Sequence, residues 1–157
     1  MKVARLTLSD RASAGVYEDL SGPEIERVFS STGIVISSWV RRLMPDDRSA
    51  IEDLLRSLCD DEKCDLVLTT GGTGPSARDV TPEATRAVLE RELPGFGEIM
   101  RMRNFDKVPT SILSRATAGT RGGSLIINLP GSPKAIGECL PLLVPAIVEA
   151  VKHLRGG

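Results

Sequence analysis

Asp65-Leu66-Val67-Leu68-Thr69-Thr70-Gly71-Gly72-Thr73-Gly74-Pro75 is the stretch that decides the fold. Residues 65–70 are continuously rather than alternately hydrophobic, the pattern of a parallel strand covered on both faces. Three glycines and three threonines then occupy positions 69–74, leaving almost no side chain where the backbone must bend. Thr81-Pro82-Glu83 follows as a helix start, an N-cap with proline in the first turn, and the helix is expected to run to about residue 91. A buried strand, a glycine-rich turn and a helix form the repeating unit of an α/β layered fold with a mostly parallel sheet.

Outward from this unit, strand and helix patterns keep alternating. Residues 2–9 read as a strand, followed by a polar loop to Leu20. Ser21 and Glu24 have capping-box spacing and open a helix toward Ser31 that Gly33 stops. Residues 34–43 are β-branched and aromatic enough for a second strand. Pro45-Asp46-Asp47 then turns into a helix whose apolar face is Ile51, Leu54, Leu55 and Leu58. Residues 94–105 suggest another helix, 108–123 give no clear pattern, and 124–129 are a strand. Ser132-Pro133 opens the terminal helical region, where Pro141 and Pro145 predict a kink or two helices. Trp39 and Tyr17 could stack on a heterocycle, but core packing is the expectation for both.

The composition narrows the chemistry. With 157 residues, 41% hydrophobic and 26% charged, the chain can close one core, so a single domain over 1–157 is expected. Lys+Arg 20 against Asp+Glu 21 gives no basic excess for nucleic acid or acidic membranes. The longest nearly apolar stretch, 140–148, holds two prolines, and Met1-Lys2-Val3 leads directly into a strand, so neither a membrane span nor a targeting segment is expected. Three cysteines, Cys59, Cys64 and Cys139, are an odd number, which favours reduced thiols and the cytoplasm. The single histidine, His153, falls in the last helical turn, so neither a zinc site nor a histidine-dependent nucleophile is expected. Carboxylates, hydroxyls, cations and backbone amides must carry any catalysis.

Those groups collect at four strand ends: Ser9-Asp10-Arg11, Pro45-Asp46-Asp47, the segment from Thr69 to Asp79, and Asn128-Leu129-Pro130-Gly131-Ser132-Pro133. All four are carboxyl ends, where open α/β sheets bind ligands, so they are expected to converge on one crevice. Gly71, Gly72, Thr73 and Gly74 can gather amides around anionic oxygens, although a tight structural turn has the same composition. Neither a Walker A sequence nor G-x-G-x-x-G is present. Asp79 and Asp46 cannot hold phosphate directly, but they can hold Mg²⁺ that does. A turn or helix-start role is the alternative for Asp79, and helix capping for one of Asp46 and Asp47. Arg11, Arg78, Arg115 and Arg121 offer forks for anionic oxygens or simple surface charge. Ser132 is an N-cap or a ligand contact.

Thr69-Thr70-Gly71-Gly72-Thr73-Gly74 with Arg78-Asp79-Val80-Thr81-Pro82-Glu83-Ala84 resembles the MogA/MoaB family of molybdenum cofactor biosynthesis proteins. The resemblance extends through Ser9-Asp10-Arg11-Ala12-Ser13-Ala14-Gly15, Asp19-Leu20-Ser21-Gly22-Pro23, Pro45-Asp46, Leu113-Ser114-Arg115 and the segment 128–133. The Ser-Asp-Arg opening and Pro94-Gly95-Phe96-Gly97 resemble the molybdopterin adenylyltransferase branch, also seen in the G domain of gephyrin. The resemblance implies a three-layer α/β domain that forms a homotrimer. It further implies Mg²⁺-dependent transfer of AMP from ATP to the terminal phosphate of molybdopterin, with release of pyrophosphate. On that reading Asp46 and Asp79 are the catalytic, metal-holding carboxylates. Ser9, Asp10, Gly71, Gly72, Thr73, Gly74, Gly131 and Ser132 lie on the phosphate and nucleotide side, and Ser114 and Asn128 on the pterin side. A module that binds molybdopterin without adenylating it shares these glycines and is the alternative.

Overall fold

The computed structural model describes residues 1–157. At its centre all five residues of β3 (Leu66–Thr70) and all six of β6 (Ser124–Leu129) are buried, because helices cover both faces of the sheet. β1 (Lys2–Leu8) pairs in parallel with β3 on one side and with β2 (Ser38–Met44) on the other. β3 pairs in parallel with β6. Two antiparallel strands, β5 (Ala118–Arg121) and β4 (Arg91–Glu92), complete the order β2-β1-β3-β6-β5-β4. The expected three-layer α/β architecture with a mostly parallel sheet is therefore present, with an antiparallel edge of which β5 falls inside the stretch 108–123 whose pattern is unclear in the sequence and β4 just after α4.

The two helical layers divide the core. On one face α2 (Ser21–Ser30), α5 (Gly95–Phe105) and α6 (Pro133–Leu154) bury Ile25, Phe29, Met100, Ile136, Leu140 and Ile147 against alternate residues of β1, β3 and β6. On the other face α3 (Arg48–Asp60) and α4 (Thr81–Val88) bury Ile51, Leu55, Leu58, Ala84 and Val88. Trp39 packs edge-on against Phe29 with ring centroids 6.2 Å apart, as core packing requires. Cys59, Cys64 and Cys139 are free and buried, and burial pushes the Cys64 thiol up to about 11. No helix is long and apolar enough to cross a membrane.

Several local expectations are corrected. A one-turn helix α1 (Asp10–Ser13), capped by Ser9, interrupts the predicted loop. Ser21 does not cap α2; Asp19 accepts from the Gly22 amide at 3.0 Å, and the Ser21 hydroxyl donates to the Gly131 carbonyl at 2.7 Å. Residues 34–37 stay outside β2, and Ile34 and Ile36 pack on the core instead. Thr81 is the first helical residue rather than the cap, and α4 ends at Val88 because residues 91–92 pair with β5. α6 runs through both prolines as one helix of 22 residues. Pro141 and Pro145 are one turn apart on its exposed side, so the carbonyls they leave without a donor can reach water.

Candidate functional site

β1 and β3 are neighbours, and the chain leaving β1 crosses to α2 on one face of the sheet whereas the chain leaving β3 enters α4 on the other, the divergence that opens a crevice in α/β sheets. The four predicted loops meet there. A cavity of about 420 Å³ is lined by Ser9, Tyr17, Asp19, Asp46, Gly72 and Asp79 together with Thr70, Gly71 and Gly131. Beside it a second cavity of about 300 Å³ is lined by Thr73, Ser114, Gly131, Ser132, Arg101 and Lys134, among others. Gly131 belongs to both, while Gly71 and Gly72 face the first cavity and Thr73 the second.

The glycine loop is held from behind. The Thr81 hydroxyl donates to the Gly71 carbonyl at 2.9 Å and the Thr81 amide to the Gly72 carbonyl at 3.1 Å. The Arg115 amide reaches the Thr73 carbonyl at 2.8 Å, and its guanidinium reaches the Gly74 carbonyl at 2.9 Å and the Asp79 carbonyl at 2.8 Å. All four carbonyls from 71 to 74 are thus taken by protein donors, whereas the amides of Gly71, Gly72, Thr73 and Gly74 donate to no protein acceptor. Successive free amides in a glycine turn form a concavity suited to anionic oxygens. Glycine is required at two of these positions. Gly71 has φ +93° and a Cβ there would lie 2.3 Å from the Leu8 carbonyl; Gly72 has φ +69° and a Cβ would lie 2.2 Å from Thr81 Oγ1.

Asp10 and Asp46 clamp two strand ends together. The Asp10 amide donates to Asp46 Oδ2 at 3.1 Å and the Asp46 amide to Asp10 Oδ1 at 3.0 Å. Arg78 adds a two-pronged contact to Asp10, at 2.9 and 3.0 Å, which holds the Asp10 carboxyl below its ordinary pKa. The second oxygen of Asp46, Oδ1, is buried without any hydrogen-bond partner. Burial, reinforced by the charges of Asp10 and Asp79, raises the Asp46 pKa against the pull of the Asp10 amide. A buried carboxylate oxygen lacking a donor is costly unless something cationic meets it. Asp79 lies on the same cavity, so the oxygens of Asp46 and Asp79 are the hard donors available there for a divalent cation.

The remaining expectations sort by position. Asp47, not Asp46, caps α3 through the Ala50 amide, and Asp79 accepts from the Ser76 amide without capping α4. Ser132 caps α6 and also lines the second cavity. Asn128 does not reach the crevice. It is fully buried, and its side chain is spent on the Thr69 and Thr85 hydroxyls, both at 3.0 Å, and the Thr117 amide at 3.2 Å. Arg78 and Arg115 are struts rather than free forks, and Arg121 pairs with Asp60 at 2.8 Å, outside both cavities. Tyr17 stands at the first cavity, 52% exposed, contrary to core packing. Arg101 and Asn104 of the second cavity are not anticipated from the sequence, although their spacing of three puts both on one face of α5.

A doubly covered α/β sheet with two adjoining cavities at its carboxyl edge makes this a small-molecule-binding α/β domain. Within that class, a family model described as "probable molybdopterin binding domain" matches residues 4–149, and the chain belongs to this family. The molybdopterin adenylyltransferase of Helicobacter pylori strain J99 is 54% identical over 151 residues, which span 96% of this chain and 86% of that protein. A crystal structure of the molybdopterin biosynthesis enzyme MoaB from Thermus thermophilus superposes with a TM-score of 0.89 at 41% identity, covering 99% of this chain and 97% of that one. A MogA structure gives 0.90 at 36% identity, covering 98% and 99%. The family resemblance drawn from the motifs holds over nearly the whole chain.

Proposed function

We propose that this chain is a molybdopterin adenylyltransferase acting in molybdenum cofactor biosynthesis, as a single domain that takes ATP and molybdopterin into the two adjoining cavities. The observation that carries the reading is the loop 71–74, whose four amides are free of protein acceptors, set between a cavity lined by the four carboxylates Glu18, Asp19, Asp46 and Asp79 and a cavity whose one carboxylate is Glu138. The nucleotide takes the first cavity, and the pterin takes the second, where Ser114 lies. Asn128 contributes from beneath by fixing β3, α4 and the segment before β5 around the loop.

In the reaction, a terminal phosphate oxygen of molybdopterin attacks the α-phosphorus of ATP. A new P–O–P bond forms, and the bond from the α-phosphorus to the β-phosphate breaks to release pyrophosphate. Asp46 and Asp79 would hold Mg²⁺, which when bound relieves charge on the phosphate oxygens. The amides of the loop orient the same phosphates and supply fixed dipoles. The attacking phosphate is already anionic at neutral pH, so no general base is needed. That suits a chain whose single histidine sits at the far end of α6, about 30 Å along the helix axis from its N-terminus. The direct check is pyrophosphate release from Mg-ATP that depends on added molybdopterin; pterin binding without release would assign the chain to the binding-only alternative.

A homotrimer belongs to the same proposal. The exposed apolar side chains Ile99, Met102, Phe105 and Ile112, on α5 and the 3-10 turn Pro109–Leu113, are compatible with burial between copies. Light scattering is expected to give about three times the 16.8 kDa subunit mass; a monomer independent of concentration contradicts it.

A further inference from the structure

Tyr17 is the only tyrosine of the chain. Tyr17 as a residue is 52% exposed, and Leu20 in the same segment is 60% exposed. Both line the cavity that holds Asp46, Asp79 and the amides of Gly71 and Gly72, so an apolar wall stands next to a polar, anion-directed floor. The ring is anchored. Its hydroxyl lies 2.8 Å from Ser9 Oγ, which itself accepts from the Ala12 amide at 3.1 Å. The short segment carrying it is tied down on both sides: the Val16 amide donates to the Arg11 carbonyl at 2.9 Å, and Asp19 accepts from the Thr7 hydroxyl at 2.9 Å and the Gly22 amide at 3.0 Å. An exposed aromatic normally loses entropy when it packs on a ligand; one already fixed by its hydroxyl loses less.

We infer that Tyr17 is the stacking surface for the purine base of the nucleotide, with Leu20 beside it, so that this loop selects a nucleotide over a bare polyphosphate. The inference rests on the proposed nucleotide site and adds the residue that reads the base. It divides the labour in the cavity: amides and carboxylates deal with the phosphates, which every polyphosphate shares, and the Tyr17 face deals with the heterocycle. Base stacking on an aromatic ring requires no particular hydrogen-bond pattern, so it distinguishes a nucleoside triphosphate from tripolyphosphate more strongly than it distinguishes one purine from another.

Calorimetric titrations with Mg-ATP and with Mg-tripolyphosphate separate these contributions. The parent is expected to prefer Mg-ATP, and Tyr17→Ala to weaken Mg-ATP binding roughly tenfold or more while leaving Mg-tripolyphosphate unchanged. Tyr17→Phe, which keeps the ring and loses the hydroxyl, retains most of the preference. Since the chain has a single tyrosine, its ring proton resonances are expected to shift upfield on adding Mg-ATP to the parent but not on adding Mg-tripolyphosphate, a measurement independent of any variant. Equal weakening of both ligands in Tyr17→Ala, or an unchanged Mg-ATP affinity, or unmoved ring resonances in a parent that binds Mg-ATP, each overturns the inference alone. A parent that binds no nucleotide overturns it together with the proposed nucleotide site.

Discussion

Asp46→Ala and Asp79→Ala are each expected to lower adenylation at least ~10²-fold with the fold retained, because the phosphates lose their cation while the hydrophobic core keeps its packing and only the Asp10 and Ser76 amides lose a local acceptor. Pterin binding should survive, since neither carboxylate lines the second cavity. Asp46→Asn sharpens the test, because it keeps an oxygen for the Asp10 amide and replaces the ionisable second oxygen with a neutral amide nitrogen. Asp46 has a folded pKa above its ordinary value. Its favourable contribution is therefore complete below the unfolded pKa and is lost as pH rises through the folded one. At neutral pH the ionised carboxylate costs stability, so Asp46→Asn without divalent cation should melt above the parent at pH 7, and the gap should close as pH falls through the carboxylate range. Added Mg²⁺ should then raise the melting temperature of the parent more than that of the variant. Full turnover by either alanine variant under saturating Mg-ATP removes the metal role of that residue.

Gly72→Val is the second large effect. Valine at φ +69° would place its Cβ 2.2 Å from Thr81 Oγ1 and 2.9 Å from Asp46 Oδ1. Backbone strain alone costs roughly 1–3 kcal/mol. Relief of the clash also displaces Thr81, which pins the loop, and Asp46, which faces the cavity. Both Mg-ATP and molybdopterin binding should collapse, with a lowered melting temperature measured beside each titration so that unfolding and a blocked site are told apart. Thr73→Val keeps the shape and removes one hydroxyl from the wall of the second cavity, for which only a modest loss is expected. Normal folding and parental affinity in Gly72→Val would reduce the loop to a structural turn.

How far the sequence reveals this site depends on the range of the interaction that settles each residue. β3 and its glycine turn are local features, and so are the strand ends at Asp10, Asp46 and Gly131, whose convergence follows from the general rule for parallel sheets. The capping role of Ser132 is equally local. Arg115 is different. It reaches Asp79 across 36 positions and Gly74 across 41, so nothing in its own neighbourhood marks it as the strut behind the loop. The same holds for Arg78, drawn to Asp10 from 68 positions away. Asn128 lies at a strand end in the sequence, yet its register opposite Thr69 turns its amide inward to two threonines. Tyr17 reaches the cavity because Ser9 and Asp19 hold its loop, a placement that composition cannot supply. The Ser21 capping box fails because the Glu24 amide it would take donates to the Leu20 carbonyl instead, and Gly131 offers the serine a different acceptor.

The most direct measurement incubates the purified chain with molybdopterin, Mg²⁺ and ATP labelled at the α-phosphate, then identifies the pterin product by mass. One AMP joined to the terminal phosphate of each pterin and one pyrophosphate released are expected, with neither formed when Mg²⁺ or molybdopterin is omitted. Unmodified molybdopterin recovered in a stable complex with the folded chain, and ATP left intact, would contradict this expectation.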